Sequence, residues 1–398
     1  MKSPKQTVNL EDICYLITDG KHGDCQNQDN SGYYFLSAKD VNNGKLNYKN
    51  ARQITKEDFL QAHKRTQLES FDILLSNSGT IGRMAIAKNN EFTYKTTFQK
   101  SVAILKPDKD KVVIQWLYYY LNYRKQSLIN AAGGTAQKNL LLRDLRAFKI
   151  DLSPLPIQRK IAAILSAYDD LIENNTRRIE ILEEMARSIY REWFVNFRFP
   201  GHEQVQMVDS ELGLIPQGWE VKKLGEVIRF KNGKSIKVEE EGDYLVYGSN
   251  GIIGRTNEAR YQNAIIIGRV GAYCGSLIYS KSAFNASDNT IIAESASEKI
   301  SIQLAFYVLE EMNLRHYAGG AAQPLLTQTV IKEIPALVPD LKTNKKFQII
   351  IANLIDFKSN LTNKIQNLRQ TRDLLLPRLI SGEIDVENLD INISQIAA

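Results

Sequence analysis

The sequence AGGTAQ at residues 132–137 returns as AGGAAQ at residues 318–323, an offset of 186 residues. After each copy come a short apolar stretch, a proline and a long charged segment with helical spacing of its apolar residues. A repeat of this length predicts two related modules in tandem, each followed by a helix.

Two weaker matches precede these loops, and they occur in the same order. The segment ILLSNSG at residues 73–79 matches IIIGRVG at residues 265–271, and Leu10 to Lys21 matches Leu224 to Lys234. The offset shrinks from 213 through 192 to 186 residues along the module. Such a drift indicates insertions in the loops of one repeating unit.

The composition is that of an ordinary globular protein, with 398 residues, 43% of them hydrophobic and 24% charged. No apolar run approaches the roughly 18–20 residues of a membrane helix, and no apolar stretch follows the polar start Met1–Lys5. Three scattered cysteines, Cys14, Cys25 and Cys274, fit a reducing compartment better than a disulfide framework. We therefore expect a cytoplasmic protein.

The net charge of +6 is distributed unevenly over four predicted domains. It is +8 in residues 1–153 (first module), zero in residues 154–199 (first helical region), −4 in residues 200–340 (second module) and +2 in residues 341–398 (second helical region). The first module is electrostatically suited to a polyanion. The second could bind one only if its cations lie on one face.

Two long helices are predicted from apolar residues that recur every three to four positions. The first run extends from Ile157 to Trp193, and the second from Phe347 to Leu375, stopping near Pro377. Asn175 occupies a position in the first run where an apolar residue is expected, and a buried polar group there could fix the register. Neither helix can bury its apolar stripe alone. They are expected to pack antiparallel on each other, although packing on their own modules is the alternative.

Short β-rich runs and a helix are predicted in each module. The runs cover residues 71–75, 101–105, 264–267 and 290–293, and the helices cover Ile114–Tyr123 and Ile302–Met312. The run of tyrosines at positions 118–120 lies in the first of these helices and is expected to place two rings in the core. Each module is therefore predicted to be α+β with its own core.

Several short motifs, in this order and spacing, resemble one protein family over essentially the whole chain. They are PIQRKI at 156–161, REWFVNFR at 191–198, LIPQGWE at 214–220, GSNG at 248–251 and LLPRLISGEI at 375–384. With these motifs the chain resembles the specificity subunit of a type I restriction–modification system.

The resemblance implies a fold, a function and partners. The fold is α+β, with two similar target-recognition domains separated by two long antiparallel coiled-coil helices in a pseudo-two-fold internal repeat. The subunit reads an asymmetric, two-part double-stranded DNA sequence, one part per domain, and docks two methyltransferase subunits. S-adenosylmethionine then belongs to the methyltransferase, ATP and Mg²⁺ belong to the restriction subunits, and this chain has no cofactor and no catalysis of its own.

The sequence lacks the common catalytic and nucleotide-binding motifs, as that implication requires. Adenine methyltransferases resemble one another in an Asn/Asp-Pro-Pro-aromatic motif, and this sequence contains no Pro-Pro pair. The four histidines do not pair with cysteines at metal-ligand spacing, and NGKS at 232–235 lacks the first glycine of a phosphate-binding loop. Two alternatives stay open: an enzyme in its own right, and a coiled-coil scaffold that binds only protein.

The candidate DNA contacts are polar and basic residues in glycine-rich loops, because glycine lets the backbone approach phosphate and Arg, Lys, Asn and Gln read base edges. In the first module they are Lys21, His22, Lys39, Asn77, Ser78, Thr80, Arg83, Thr97, Gln137 and Lys138. In the second module they are Lys234, Ser235, Tyr247, Ser249, Asn250, Arg269, Tyr273, Asn289 and Gln323. Asn and Gly are also ordinary turn formers, which is the alternative for each position.

Overall fold

A computed structural model describes residues 6–42, 44–134, 138–320 and 324–394. The chain forms two compact units. One consists of Met1–Asn174 together with Lys364–Ala398, and the other is the continuous segment Asn175–Asn363. Each unit holds one module of strands and short helices and one end of each long helix. The predicted α+β class with an internal repeat is confirmed.

The first unit begins with the first module and continues into the first long helix. Its strands are β1 (Gln6–Asn9), β2 (Cys14–Asp19), β3 (Tyr34–Leu36), β4 (Val41–Asn42), β5 (Lys45–Leu46), β6 (Ile73–Ser76), β7 (Met84–Ile86), β8 (Thr96–Phe98), β9 (Val102–Pro107) and β10 (Lys149–Leu152). Its helices are α1 (Lys56–Thr66), α2 (Ile114–Tyr123), α3 (Lys125–Ala131), α4 (Leu142–Arg146) and the start of α5 (Leu155–Tyr190).

The centre of the first module is an antiparallel sheet in the order β2-β9-β6-β7. Successive side chains of a strand face opposite sides, and both sides are covered here. Ile73 and Leu75 pack with Trp116 of α2, whereas Leu74 packs with Phe98 of the parallel pair β3–β8. Burial on both faces explains why the central strands β6 and β9 are nearly continuously apolar in sequence rather than alternating.

The tyrosine run lies in α2 as predicted. Tyr119 and Tyr120 are buried and Tyr118 is half-buried. The hydroxyl of Tyr119 donates a hydrogen bond to the Asp169 carboxylate of α5 at 2.6 Å. These rings therefore join the module to the long helix and do not form a stacking surface.

The second unit contains the second module, the C-terminal part of α5 and the N-terminal part of the second long helix. Its strands are β11 (Met207–Ser210), β12 (Gly213–Pro216), β13 (Glu220–Lys223), β14 (Ile228–Asn232), β15 (Tyr244–Gly248), β16 (Gly251–Thr256), β17 (Ala264–Gly268), β18 (Leu277–Ser280), β19 (Phe284–Ala286), β20 (Thr290–Ser295) and β21 (Pro335–Val338). Its helices are α6 (Leu224–Val227), α7 (Ile302–Glu311), α8 (Gln328–Glu333) and most of α9 (Leu341–Ser381).

The second module repeats the topology of the first. Its sheet has the order β14-β20-β17-β18, the parallel pair β15–β19 corresponds to β3–β8, and the antiparallel pair β13–β21 corresponds to β1–β10. Matching hydrogen bonds hold the segment that precedes the first strand of each four-stranded sheet. The N–H of Leu10 donates to Phe148 and that of Leu224 to Ile334, both at 2.9 Å.

In the first unit, the ends of α5 and α9 run antiparallel. Arg372 of α9 pairs with Asp169 of α5 at 2.5 Å, and Ile161, earlier in α5, shares a core with Leu379, later in α9. Beyond α9, the backbone carbonyl of Glu387 accepts a hydrogen bond from Lys160 Nζ at 2.7 Å. The chain after residue 363 therefore completes the core of the first module.

In the second unit, the same antiparallel order is found. Lys358 pairs with Glu183 at 2.5 Å, and Phe347 lies against Phe194 with a ring-centroid distance of 4.9 Å. Phe347 also contacts Tyr307 of α7, with ring centroids 6.1 Å apart. The helices thus pack both on each other and on the module, so the two packing alternatives are not exclusive. The motif REWFVNFR contributes a π-helical turn, Arg191–Val195, to this aromatic cluster.

Asn175 of α5 is buried, with 3% of its surface exposed, as its position in the apolar run predicts. Its side-chain Nδ2 has no hydrogen-bond partner in the described part of the chain. A buried donor without a partner costs about 1–3 kcal/mol of stability.

Replacing this amide should therefore stabilise the protein. We expect Asn175→Leu to raise the free energy of unfolding by about 1 kcal/mol and the apparent Tm by about 2–4 °C. The neighbouring exposed Asn174 gives a matched control, since Asn174→Leu changes no buried donor. Thermal unfolding of both variants checks this; equal shifts would mean that the buried amide is not the cause.

Candidate nucleic-acid interface

The termini of three neighbouring strands lie at one edge of the first module's sheet. β2 ends at Asp19, β6 ends at Ser76 and β9 begins at Val102, and antiparallel pairing brings these points together. We call this edge, with the loops at residues 20–23, 37–40, 77–83, 99–101 and 138–140, the loop edge of the first module.

Backbone hydrogen bonds fix these loops to one another. The N–H of Lys100 donates to the carbonyl of Lys21 at 3.1 Å, and that of Asn77 donates to the carbonyl of Ser101 at 3.0 Å. The carbonyl of Asn77 in turn accepts from the N–H of Leu140 at 2.8 Å. Residues scattered over 120 positions of sequence are thereby held in one rigid surface.

The second module has a corresponding loop edge, formed by residues 233–235, 249–250, 269–276, 287–289 and 324–326. The N–H of Arg269 donates to the carbonyl of Asn289 at 3.0 Å, and the carbonyl of Arg269 accepts from Leu326 at 2.9 Å. These bonds correspond to those of Asn77 at the offset of 192 residues seen in the sequence. Ser249 joins the edge because its Oγ donates to the carbonyl of Asn289 at 2.5 Å.

A glycine makes the close approach at each loop edge possible. The N–H of Gly20 donates to Val102 at 3.1 Å, and a Cβ at Gly20 would lie 2.2 Å from the carbonyl oxygen of Phe98. At Gly233 a Cβ would lie 2.0 Å from the carbonyl oxygen of Ser287. Only glycine fits such a contact, which gives a structural reason for the repeated Gly-Lys pair.

Most of the predicted residues of the first module lie on its loop edge. His22, Lys39, Thr80 and Lys138 are exposed, and Lys21, Ser78 and Arg83 are half-buried.

Two of these residues are already engaged by acidic groups of the module. Lys21 Nζ pairs with Asp58 at 3.0 Å, and His22 Nε2 lies 3.1 Å from Asp19. Burial alone would lower the pKa of Lys21, but the hydrogen bond to Asp58 and the charge interactions with Cys25 and Asp58 together outweigh it and raise that pKa above its usual value. Lys21 is therefore charged at neutral pH, with its charge partly neutralised by a neighbour.

The predicted residues of the second module also gather at its loop edge. Lys234, Ser235, Asn250, Tyr273 and Asn289 are exposed, and Ser249 and Arg269 are half-buried.

Three predicted residues are buried, which corrects their choice as surface contacts. Thr97 has no exposed surface and its hydroxyl lies 3.2 Å from that of Thr66, Asn77 is 4% exposed, and Tyr247 is 8% exposed with its ring against Phe284. The Thr97 hydroxyl is used inside the module, whereas Asn77 Oδ1 is buried without a hydrogen-bond partner in the described part of the chain. Gln137 and Gln323 lie outside the described residues, and their assignment stays a prediction.

Sequence reasoning missed Lys100, which is exposed on the loop edge of the first module. Aligning the two modules at an offset of 188 residues, as their strands require, pairs Ser101 with the predicted contact Asn289 and would have pointed to this loop. The same alignment pairs Lys100 with Asp288, so the two modules carry opposite charges at this place.

The loop edge of the first module is the more cationic of the two. In the described part of the chain, the side chains of Lys39, Arg83, Lys100 and Lys138 have no ion-pair or hydrogen-bond partner. The second module offers Lys234 and Arg269 in this state. Unpaired cations in surface loops attract phosphate, so both loop edges can bind a polyanion despite the net negative charge of the second module.

The described residues contain neither a metal cluster nor a membrane-spanning helix. No cluster of three or more His, Cys, Asp or Glu side chains able to hold a metal ion occurs among them. Within the described ranges, no helix is long and apolar enough to span a membrane.

Comparisons with known proteins agree with the tandem architecture. A family model for the type I restriction modification DNA specificity domain matches residues 2–184 and again residues 216–369. The chain is 27% identical over 395 residues to the type I restriction enzyme MjaIX specificity subunit of Methanocaldococcus jannaschii, covering 89% of this chain and 87% of that one. It is also 27% identical over 326 residues to the EcoprrI specificity subunit of Escherichia coli, covering 75% and 74%.

A solved structure has the same fold. The type I restriction-modification system S subunit from M. genitalium superposes with a TM-score of 0.61 over 95% of this chain and 96% of that one, at 18% identity.

The close approach at Gly233 can be tested by adding one methyl group. We expect Gly233→Ala to lower the free energy of unfolding by about 1–3 kcal/mol, because the new Cβ would overlap a backbone carbonyl. Gly319→Ala is the matched control in the same module, since no heavy atom lies within 4 Å of its Cβ, and its effect should stay within about 0.5 kcal/mol. Denaturant unfolding measures both; similar losses would show that the contact at Gly233 is not critical.

Proposed function

This chain belongs to the family of type I restriction modification DNA specificity domains, and from that premise we propose that it is the non-catalytic DNA-reading subunit of a type I restriction–modification complex. Each module reads one half of an asymmetric bipartite target. One observation carries the proposal: the two loop edges share a hydrogen-bonded backbone but present different side chains. Two similar scaffolds with different surfaces are what reading two different half-sites requires.

The distribution of exposed cations supports duplex DNA as the ligand. Phosphate contacts supply most of the sequence-independent affinity, whereas base-edge contacts supply specificity. Lys39 and Lys100 are exposed lysines on the loop edge of the first module without protein partners, which suits them to phosphate. The polar side chains around Ser249 and Asn289 are of the types that read base edges.

The long helices are proposed to dock the methyltransferase subunits. In the second unit, large apolar side chains of α5 and α9 remain exposed although both helices are packed. Ile181 and Met185, one turn apart, are 45% and 46% exposed, and Ile349 and Phe357 are 64% and 50% exposed. Apolar side chains at helical spacing on a surface are typical of protein–protein contacts.

The chemistry would then lie on the partners. The methyltransferase subunits would use S-adenosylmethionine to methylate adenine at N6, and restriction subunits joined through them would use ATP and Mg²⁺. This chain would determine the DNA sequence at which the complex binds, in the cytoplasm of a prokaryote.

Methylome sequencing tests the proposal. Cells that express this chain with its own methyltransferase subunit should show methylation at one two-part motif, and cells that express either alone should show none. Exchanging residues 200–340 for the equivalent module of a relative should change one half of the motif and leave the other. Methylation by this chain alone, or a change in both halves, would contradict the proposal; protein binding without any sequence-specific methylation would favour the scaffold alternative.

The role of the first loop edge can be tested by charge removal. We expect the double variant Lys39→Ala/Lys100→Ala to weaken DNA binding about 10- to 30-fold at 0.15 M salt and to reduce the slope of log K against log salt by about 2, because two phosphate contacts are lost.

The control is a double variant of the same module at positions away from its loop edge. Lys109 follows the end of β9 and Lys149 begins β10, and both are exposed. Lys109→Ala/Lys149→Ala removes the same charge, and we expect a slope close to that of the unaltered protein. Fluorescence anisotropy of the complex at several salt concentrations measures both; equal slopes in the two variants would exclude a specific role for the loop edge.

A further inference from the structure

We propose that Arg269 is the side chain of the second module that reads a guanine, so that the half-site of this module contains a G·C pair at the position facing Arg269. The inference rests on the proposed function and adds a named residue, a named base and a predicted feature of the DNA sequence.

The backbone of Arg269 is held on every side. Its N–H donates to the carbonyl of Asn289 at 3.0 Å, and its carbonyl accepts from the N–H of Leu326 at 2.9 Å and from Cys274 Sγ at 3.3 Å. Arg269 directly follows β17, a fully buried strand. A base-reading group must be positioned to a fraction of an ångström, and a residue fixed by three hydrogen bonds at a strand end meets that demand.

The guanidinium of Arg269, in contrast, has no structural task. Its Nε is buried without a hydrogen-bond partner in the described part of the chain, and no ion pair to its side chain occurs there. Two other arginines of the module differ in this respect: Arg255 and Arg315 donate to the carbonyls of Gly242 and Ala272 at 2.9 and 2.8 Å. A donor that is shielded from water and lacks a partner is costly, and a ligand acceptor at the loop edge would satisfy this group.

The surroundings of Arg269 are open to a ligand. Lys234, Tyr273 and Asn289 are exposed on the same loop edge, Tyr273 to 51%. Lys234 is placed to meet a phosphate, which would hold the duplex while the arginine contacts a base.

The corresponding residue of the first module explains why this position separates the two specificities. Asn77 has the same two backbone hydrogen bonds as Arg269, at 3.0 and 2.8 Å, but its short side chain is 96% buried. Gly20 and Gly233, and Lys21 and Lys234, are identical between the modules. The backbone arrangement is therefore repeated within the chain at this point, while the buried Asn77 side chain of the first module is replaced by the longer, half-buried Arg269 in the second.

Guanine is the base that matches this group. In the major groove it presents two acceptors, O6 and N7, which the parallel donors of a guanidinium can bind together. Adenine presents an N6 donor in place of the O6 acceptor, so one donor of the arginine would face another donor and could not form a hydrogen bond. A good bidentate contact discriminates against the wrong base by about 10- to 100-fold.

Methylome sequencing of variants with the methyltransferase subunit present provides the test. In Arg269→Asn, which installs the residue of the first module, we expect one G·C position of one half-site to become degenerate, with discrimination falling about 10- to 100-fold, and the other half-site to stay unchanged. Arg269→Lys should keep the preference for guanine in weakened form. Arg229→Asn, a change at an exposed arginine of β14 in the same module, should leave the motif as it is.

Each outcome is decisive. A motif whose changed half contains no G·C pair, or an unchanged motif in Arg269→Asn, would overturn the inference. If the recognised motif became equally degenerate in Arg229→Asn and in Arg269→Asn, the inference would also be overturned, because the effect would then come from the loss of net charge. If Arg269→Asn is poorly folded by its thermal transition, Arg269→Lys decides by itself. Failure of the unaltered protein to direct methylation to any motif would instead refute the proposed function.

Discussion

The first module depends on a stretch of chain that is far away in sequence. Leu379, Ile380 and Val386 lie in the same buried cluster as Ile161 and Leu165 of α5, and through them the sheet core of the module is closed. Burying such side chains contributes roughly 1.5–3 kcal/mol each. The antiparallel course of α5 and α9 follows from this closure, because α9 begins in the second unit and must bring the last part of the chain to the first module.

The loop edges show how one scaffold can serve two specificities. Many of the hydrogen bonds that hold them are backbone-to-backbone and place few demands on side chains, and glycine is required at the two positions where a Cβ would meet a carbonyl. Side chains on the surface can therefore vary without loss of the fold. The contrast between Lys100 and Asp288, and between Asn77 and Arg269, is the result of that freedom.

Periodicity and repetition made much of the fold predictable. Helix α2 occupies the predicted Ile114–Tyr123, and α7 ends one residue before its predicted limit, because a strong apolar periodicity over ten residues is decided locally. Burial of polar residues was not predictable: Thr97 and Asn77 are polar residues near glycine-rich loops, and only the non-local pairing of strands shows that they face inward. Lys100 was missed for the same reason, since the bond that brings it to Lys21 joins residues 79 positions apart.

The discontinuous first unit also has a consequence for biosynthesis. The second unit is one continuous segment, Asn175–Asn363, whereas the first lacks its closing helix until that whole segment has been translated. At roughly 5–20 residues per second, the ribosome needs about 10–40 s to make the intervening 189 residues. During that interval the apolar surface around Ile161 and Leu165 lacks its covering residues from α9. The unit translated second is therefore the first whose residues are all available for folding.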